Sequence, residues 1–306
     1  MNTTIGTVGL PGHVERQVES WFSYVEGKLS RFLPDSELSR LNHSNGLSFS
    51  SSALLSQVLA SASSLYKETD GLFNPYLGTT LSGLGYDRSF DQLSTVKECM
   101  SVNEPAPSKL REQIIEPMAM NPFMPCITLL PGVSVDLGGI AKGWSAQMMR
   151  SWLRDDGVMS GLIDAGGDIV VWGEAGQSGW DLVIADPFYP EQNIVILKLK
   201  REAAIATSST LKRRWTDRYN RLCHHIIDPA TRQPSQSDLV QATILADDLT
   251  VAEVYAKCLL ILGSEKGMAW LRERKPDLGI IGVRSDGSVV TGPSLYPYCL
   301  EWSVQN

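Results

Sequence analysis

Between residues 161 and 246 the chain reads as one short strand after another. The stretches 161–165, 169–173, 180–185, 194–199, 203–207, 223–227 and 240–246 are apolar or alternating, bounded by Gly, Pro or Asp. That is the pattern of strands joined by turns. Helical spacing precedes them. Val14, Val18, Trp21, Phe22, Val25 and Leu29 share one face over 14–30, and Leu54, Leu55, Val58, Leu59, Ala62 and Leu65 share another over 51–67. Between the two, Pro34-Asp35-Ser36 breaks the chain, and Asp35 or Ser36 caps a short helical turn through Leu38 and Leu41. After the strands come helices at about 251–262 and 264–273, then strands 278–284 and 287–291 around the Ser285-Asp286-Gly287 turn. Helices, then strands, then helices predicts an α+β fold with a mixed or antiparallel sheet core flanked by helices. Residues 99–126 hold Pro105, Pro107, Pro117, Pro122 and Pro125 and read as surface connection with a short strand, not as a linker. Residues 1–306 are therefore expected to form a single domain.

Bulk properties narrow the function classes. A net charge of −7 argues against nucleic acid or an anionic membrane as the main partner. Five cysteines (99, 126, 223, 258 and 299) are scattered without C-x-x-C spacing, which suits a reducing compartment. The N-terminus shows no basic n-region with an apolar h-region, and no apolar run reaches membrane-spanning length. The expectation is a soluble cytoplasmic protein.

Residues 132–143 carry the strongest local signal. Val133, Val135 and Leu137 alternate into Asp136, a Gly138-Gly139 pair follows, and a helical stretch runs through Trp144, Met148, Trp152 and Leu153. A strand, Gly-Gly and helix junction presents backbone N–H groups to an anion, and it is also an ordinary tight turn. A second such junction stands at Asp164-Ala-Gly166-Gly167-Asp168, where Asp168 also reads as a turn cap. Thr207, Ser208 and Ser209 end a strand ahead of Arg213 and Arg214, a group suited to phosphate or simply to solvent. Cys223-His224-His225 holds two of the four histidines. On a strand, His225 and Cys223 face one side and His224 the other. His225, held near Asp228, reads as a base, a phosphate contact or a structural side chain. No zinc-ligand spacing and no G-x-S-x-G elbow is present. Thr250-x-x-Glu253 matches a capping box, and Glu253 with Lys257 matches a helical i,i+4 pair.

In their order along the chain these segments resemble the ApbE family of FAD:protein FMN transferases. Ser36-Glu-Leu-Ser39-Arg-Leu-Asn42 is similar to an S-x-x-S-x-x-N element. Thr69-Asp70-Gly71-Leu-Phe73-Asn74-Pro75 is similar to T-D-G-x-F-D-P, with Asn74 for the aspartate. Asp136-Leu-Gly138-Gly139-Ile140-Ala141-Lys142-Gly143 matches D-L-G-G-I-A-K-G throughout. Leu162–Asp168 resembles a strand ending in G-G-D. Ala206-Thr207-Ser208-Ser209 resembles A-T-S-G, and His225-Ile-Ile-Asp228-Pro229-Ala-Thr231 resembles H-I-x-D-P-x-T-G, with Ser209 and Arg232 where the family has glycine.

The resemblance implies an enzyme that breaks the diphosphate of FAD, attaches FMN to a Thr or Ser hydroxyl of an acceptor protein and releases AMP. It implies FAD contacts from Asp136, Gly138, Gly139, Ile140, Ala141 and Lys142. Further contacts would come from Gly166, Gly167, Asp168, Thr207, Ser208, Ser209, Arg213, Arg214, His225 and Asp228. His225 is the candidate to take the acceptor proton or to stabilise charge. In members that use magnesium the ion is held by A-D-x-x-A-T side chains and a carbonyl of the A-K-G turn. Here that register reads Ala252-Glu253-Val-Tyr-Ala256-Lys257. Mg2+ would keep only the Ala141 carbonyl and Glu253, and a charged Lys257 offers no lone pair. Lys257 then either substitutes for the ion beside the diphosphate or points to solvent. The rival function is an FAD carrier or sensor without catalysis.

Overall fold

The computed structural model describes residues 3–93, 116–173, 179–217, 219 and 221–305. The first part of the chain forms β1 (Ile5–Val8), α1 (Gly12–Leu29), α2 (Glu37–Asn42), β2 (Phe49–Ser50) and α3 (Ala53–Glu68). There follow α4 (Gly78–Gly83), α5 (Phe90–Leu93), β3 (Met118–Met120) and β4 (Cys126–Leu129). The middle supplies α6 (Ala141–Asp155), β5 (Gly161–Ala165), β6 (Ile169–Trp172), β7 (Trp180–Ala185), β8 (Asn193–Leu199) and β9 (Ala203–Ser209). Next come β10 (Arg214–Thr216), β11 (Leu222–His224), β12 (Ile227–Asp228), β13 (Gln233–Pro234) and β14 (Leu239–Ala246). The chain ends with α7 (Leu249–Leu262), α8 (Ser264–Arg274), β15 (Gly279–Arg284), β16 (Val289–Thr291) and β17 (Cys299–Val304).

A seven-stranded sheet, ordered β1-β5-β6-β9-β14-β15-β16, holds the centre, and every neighbouring pair is antiparallel. The period of two that marked these strands in the sequence sorts their side chains between two cores. Ile163, Val170, Ala204, Ala206, Ala242 and Ile244 face the helices. Leu162, Val171, Ala203, Ile205, Leu245 and Ile281 face a three-stranded sheet ordered β17-β8-β7, through Leu182, Val195, Leu197 and Cys299. β14 is buried along all eight residues, as expected of a strand covered on both faces.

Helix α7 lies on β9 and β14, and the small side chains Ala204, Ala206 and Ala242 let it approach closely. The Asp248 carboxylate caps its start by accepting the Val251 N–H at 3.0 Å, a contact worth about 1 kcal/mol. Gly263, at φ 80°, closes its end by donating to the Leu259 carbonyl at 2.9 Å. Since Asp248 is the cap, Thr250 and Glu253 do not form the capping box that their spacing suggests.

Several sequence expectations change. Residues 133–137 are not a strand; Ser134 alone makes an isolated parallel bridge, with Leu77. The expected strand 223–227 breaks at His225, with β11 pairing β10 and β12 pairing β13. Strands β1 and β17 and helix α4 were not anticipated. The first two are edge strands with mixed exposure, and the third is a short helix rich in Gly and Thr. Within 99–126, residues 99–115 lie outside the described residues, and the remainder holds β3 and the start of β4.

Candidate functional site

The segment leading into α6 has no ladder of its own, so side chains and loops pin it. Asn42 brackets Val135, accepting its N–H at 2.8 Å and donating to its carbonyl at 2.9 Å. The Pro75 carbonyl accepts the Asp136 N–H at 2.8 Å, and Ser134 accepts from Gly78 N–H at 3.0 Å. The S-x-x-S-x-x-N and T-D-G-x-F-N-P elements therefore serve as a frame for this segment. Asp136 accepts the Gly138 N–H at 3.0 Å and pairs with Arg31. Arg31 also donates to the Tyr86 carbonyl at 2.6 Å, and its guanidinium lies 4.2 Å from the Phe32 ring centre.

The expected row of open N–H groups at the α6 start is largely spent on the fold itself. Ile140 and Ala141 N–H both donate to the Leu137 carbonyl, at 3.1 and 2.9 Å. Gly143 N–H donates to Glu253 Oε2 at 2.8 Å. A Cβ on Gly143 would stand 2.6 Å from the Leu249 carbonyl oxygen, so only glycine lets α6 and α7 meet this closely. The same contact brings Lys142 onto Glu253 at 3.0 Å and onto Asp168. Lys257 completes the cluster at 3.3 Å from Glu253 Oε1.

Burial and charge set the state of this cluster. Burial works against the Lys142 ammonium, yet Asp168 and Glu253 outweigh it and raise its pKa. Burial pushes Glu253 up, but Lys142, Lys257 and the Gly143 N–H pull it down to about 2. Burial raises Asp168 against the pull of Lys142, with Glu253 adding to the rise. Glu253 is thus an ion held between two ammonium groups.

In front of the cluster lies a cavity of about 1050 Å³, a size that suits a dinucleotide. Its wall includes Asp136, Gly138, Gly139, Ala141, Lys142, Arg213, His225 and Lys257, all singled out in the sequence. His225 occupies the break between β11 and β12, and its Nδ1 is buried without a hydrogen-bond partner. Burial first, then the charges of Arg213 and Lys257, push its pKa well below the usual value. His224 turns away, with Nε2 3.1 Å from the Ser235 carbonyl and Nδ1 accepting from Ile226 N–H.

Other expected residues stand behind that wall. Gly166 and Gly167, at φ 73° and 92°, form the two-residue turn between β5 and β6, and Ala165 N–H closes it on the Asp168 carbonyl. Asp168 and Glu253 act on the cavity through the lysines. Ile140 is core. Thr207 bonds Thr243 at 2.9 Å, and Ser208 and Ser209 are buried in β9. Arg214 is exposed and donates to the Thr210 carbonyl, and Asp228 accepts the Ala230 N–H at 2.8 Å within its own turn. The sequence reading missed Arg31, Phe32, Phe73 and Tyr86 on the wall. Phe73 stood inside a quoted motif; Arg31 and Tyr86 stand in none.

A divalent cation does not fit here. Three hydrogen bonds already occupy Glu253, two of them from ammonium groups that repel any ion on the same carboxylate. The Ala141 carbonyl accepts the Ser145 hydroxyl at 2.5 Å. No set of three or more His, Cys, Asp or Glu side chains among the described residues could hold a metal.

Fold and site together define an α+β protein whose large cleft is walled by a Gly-Gly turn, lysines, an arginine and a neutral histidine. The chain belongs to the ApbE family, whose model matches residues 1–281. It is 31% identical over 160 residues to an FAD:protein FMN transferase of Klebsiella pneumoniae, a match covering 52% of this chain and only about half, 48%, of that relative. It is 27% identical over 264 residues to one from Vibrio cholerae, covering 84% of this chain and 75% of that protein. In fold it is similar to the crystal structure of the ApbE protein of Thermotoga maritima, with TM-score 0.82, 21% identity and coverage of 97% and 94%. It is similar also to the flavin transferase ApbE from Vibrio cholerae, with TM-score 0.77, 24% identity and coverage of 97% and 96%. Among the described residues no helix is long and apolar enough to cross a membrane.

Proposed function

We propose that this chain is an FAD:protein FMN transferase, with FAD and an acceptor flavoprotein as its substrates. The observation that carries this reading is the buried, unpartnered Nδ1 of His225 on the wall of a dinucleotide-sized cavity, beside Arg213 and Lys257. Burial and the neighbouring charges hold this imidazole neutral, so it keeps a lone pair that can take the proton of a bound hydroxyl. The acceptor Thr or Ser hydroxyl oxygen attacks the phosphorus of the FMN half, and its proton passes to His225. The bond from that phosphorus to the bridging oxygen breaks, and AMP leaves. Arg213, Lys257 and Lys142 offset the charge on the diphosphate, the main catalytic need in phosphoryl transfer. The names carried by the Klebsiella and Vibrio relatives support the same reading. A cytoplasmic location is part of the proposal, supported by the free state of Cys126, Cys223, Cys258 and Cys299.

Incubation with FAD and a Thr-containing flavoprotein acceptor tests it, reading AMP by chromatography and acceptor mass for added FMN. Both products are expected together. His225→Ala should lower their rate about 10²–10⁴-fold while FAD still binds. FAD binding without AMP would mark a carrier, and AMP with free FMN in the absence of acceptor would mark a hydrolase.

A further inference from the structure

Lys257 stands at the position where the family resemblance puts a side-chain ligand of a divalent ion, and its Nζ lies 3.3 Å from Glu253 Oε1. Resting on the transferase reading, the geometry points to a cation-independent FAD site, in which Lys257, seconded by Lys142, holds the diphosphate that an ion would otherwise neutralise.

Each part of the arrangement supports this. Glu253 is 1% exposed and spends Oε2 on the Gly143 N–H and Oε1 on both lysines. Its extra methylene over aspartate carries the carboxylate onto α6 instead of into the cavity. Lys257 stays 15% exposed and lines the cavity, with its stem against Gly139, where a Cβ would stand 3.2 Å from Cε. A side chain on that glycine would displace the lysine. Lys257 Nζ lies 3.3 Å from Glu253 Oε1 and 3.5 Å from the Glu253 carbonyl. An ammonium has three donors, so one remains for a phosphate oxygen. Lys142 likewise has two carboxylate partners, Asp168 and Glu253, and one donor left. Asp168 is itself fixed, accepting the Thr207 N–H at 3.2 Å. The cluster sets two lysines against two carboxylates, and these contacts fix both amino groups in place before any ligand arrives. Arg213 adds positive charge on the same wall.

FAD titrations by flavin fluorescence and calorimetry, in EDTA and in excess magnesium, test the inference on the full chain. The wild type is expected to bind with dissociation constants that agree within twofold in the two buffers. Lys257→Thr should weaken binding at least tenfold, with no rescue by magnesium. Lys257→Arg keeps the charge and should stay within about fivefold of wild type, which separates loss of charge from loss of fold. Glu253→Asp with Lys257→Thr, which restores the ligand types of magnesium-using relatives, should bind FAD at least tenfold more tightly in magnesium than in EDTA. Tenfold weakening of wild-type binding by EDTA would overturn the inference, as would undiminished binding by Lys257→Thr. If FAD binds in EDTA but no AMP forms with any acceptor, the transferase reading fails and the cation-independent site stands. Absence of FAD binding in both buffers removes both.

Discussion

Arg232 sits at φ 56°, in the left-handed region, in the turn between β12 and β13. A non-glycine residue there is strained by roughly 1–2 kcal/mol, and glycine recovers that at an entropic cost of roughly 0.5–1 kcal/mol. The side chain is exposed, and the turn's hydrogen bond, from Arg232 N–H to the Asp228 carbonyl at 2.8 Å, belongs to the backbone. Arg232→Gly is therefore expected to stabilise the protein by about 0.5–1 kcal/mol, read as a urea midpoint shifted upward at unchanged slope. An unchanged or lower midpoint would show that the arginine makes a compensating contact. At this scale the sequence was informative wherever a departure changes backbone demands, as at Arg232. Asn74 shows the opposite case: its Oδ1 accepts Tyr76 N–H at 2.8 Å, a role aspartate also fills, so the exchange leaves the local geometry intact. The partners of Lys142 were beyond local reading, because Asp168 and Glu253 stand 26 and 111 residues away.

Among the elements, the α6–α7 crossing decides where the cationic cluster forms. Alanine in a helix interior normally gains about 1 kcal/mol over glycine. At Gly143 the sign should reverse, since the added Cβ meets the Leu249 carbonyl at 2.6 Å and Glu253 Oε2 at 3.0 Å. Gly143→Ala is expected to cost about 1–3 kcal/mol by overpacking and to weaken FAD binding by moving Glu253 off both lysines. Gly157→Ala is a poor control because of its φ of 86°; Gly27→Ala, with nothing within 4 Å of the added carbon, is the proper one and should be neutral or stabilising. Equal stability of the Gly143 and Gly27 variants would refute the account. The inner strands of the central sheet, β5, β6, β9, β14 and β15, were readable because each alternates between two apolar cores. Residues 133–137 misled for the same reason: Val133 and Val135 alternate, but Asn42 and Pro75, not a neighbouring strand, satisfy that backbone. The break at His225 left no trace in composition, since Cys223 and Ile227 are both buried, as strand residues would be.

Across the whole molecule, folding places His225 among positive charges drawn from distant parts of the chain. Arg213 comes from the loop ahead of β10, Lys257 from α7, and His224 is its neighbour; all three oppose its protonation, as burial does more strongly. A hydrogen bond to the Arg213 backbone works the other way without reversing the shift. Folding therefore lowers the His225 pKa, while the unfolded chain keeps a value near 6.5. Below pH 6.5 the unfolded state takes up a proton that the folded state refuses, so stability falls as pH drops. The loss stops once pH passes below the folded pKa. Its slope approaches about 1.4 kcal/mol per pH unit for one such histidine. His224, lowered by burial, adds a component of the same sign. Urea unfolding at pH 7.5, 6.5 and 5.5 should show wild-type stability dropping through this range, whereas His225→Asn should drop less. The difference between the two proteins should shrink or change sign toward pH 5.5, because asparagine carries no charge cost into the buried site. A parallel pH dependence in both proteins would mean that folding leaves the His225 pKa unshifted, so that the fold does not hold the imidazole neutral for the acceptor's proton.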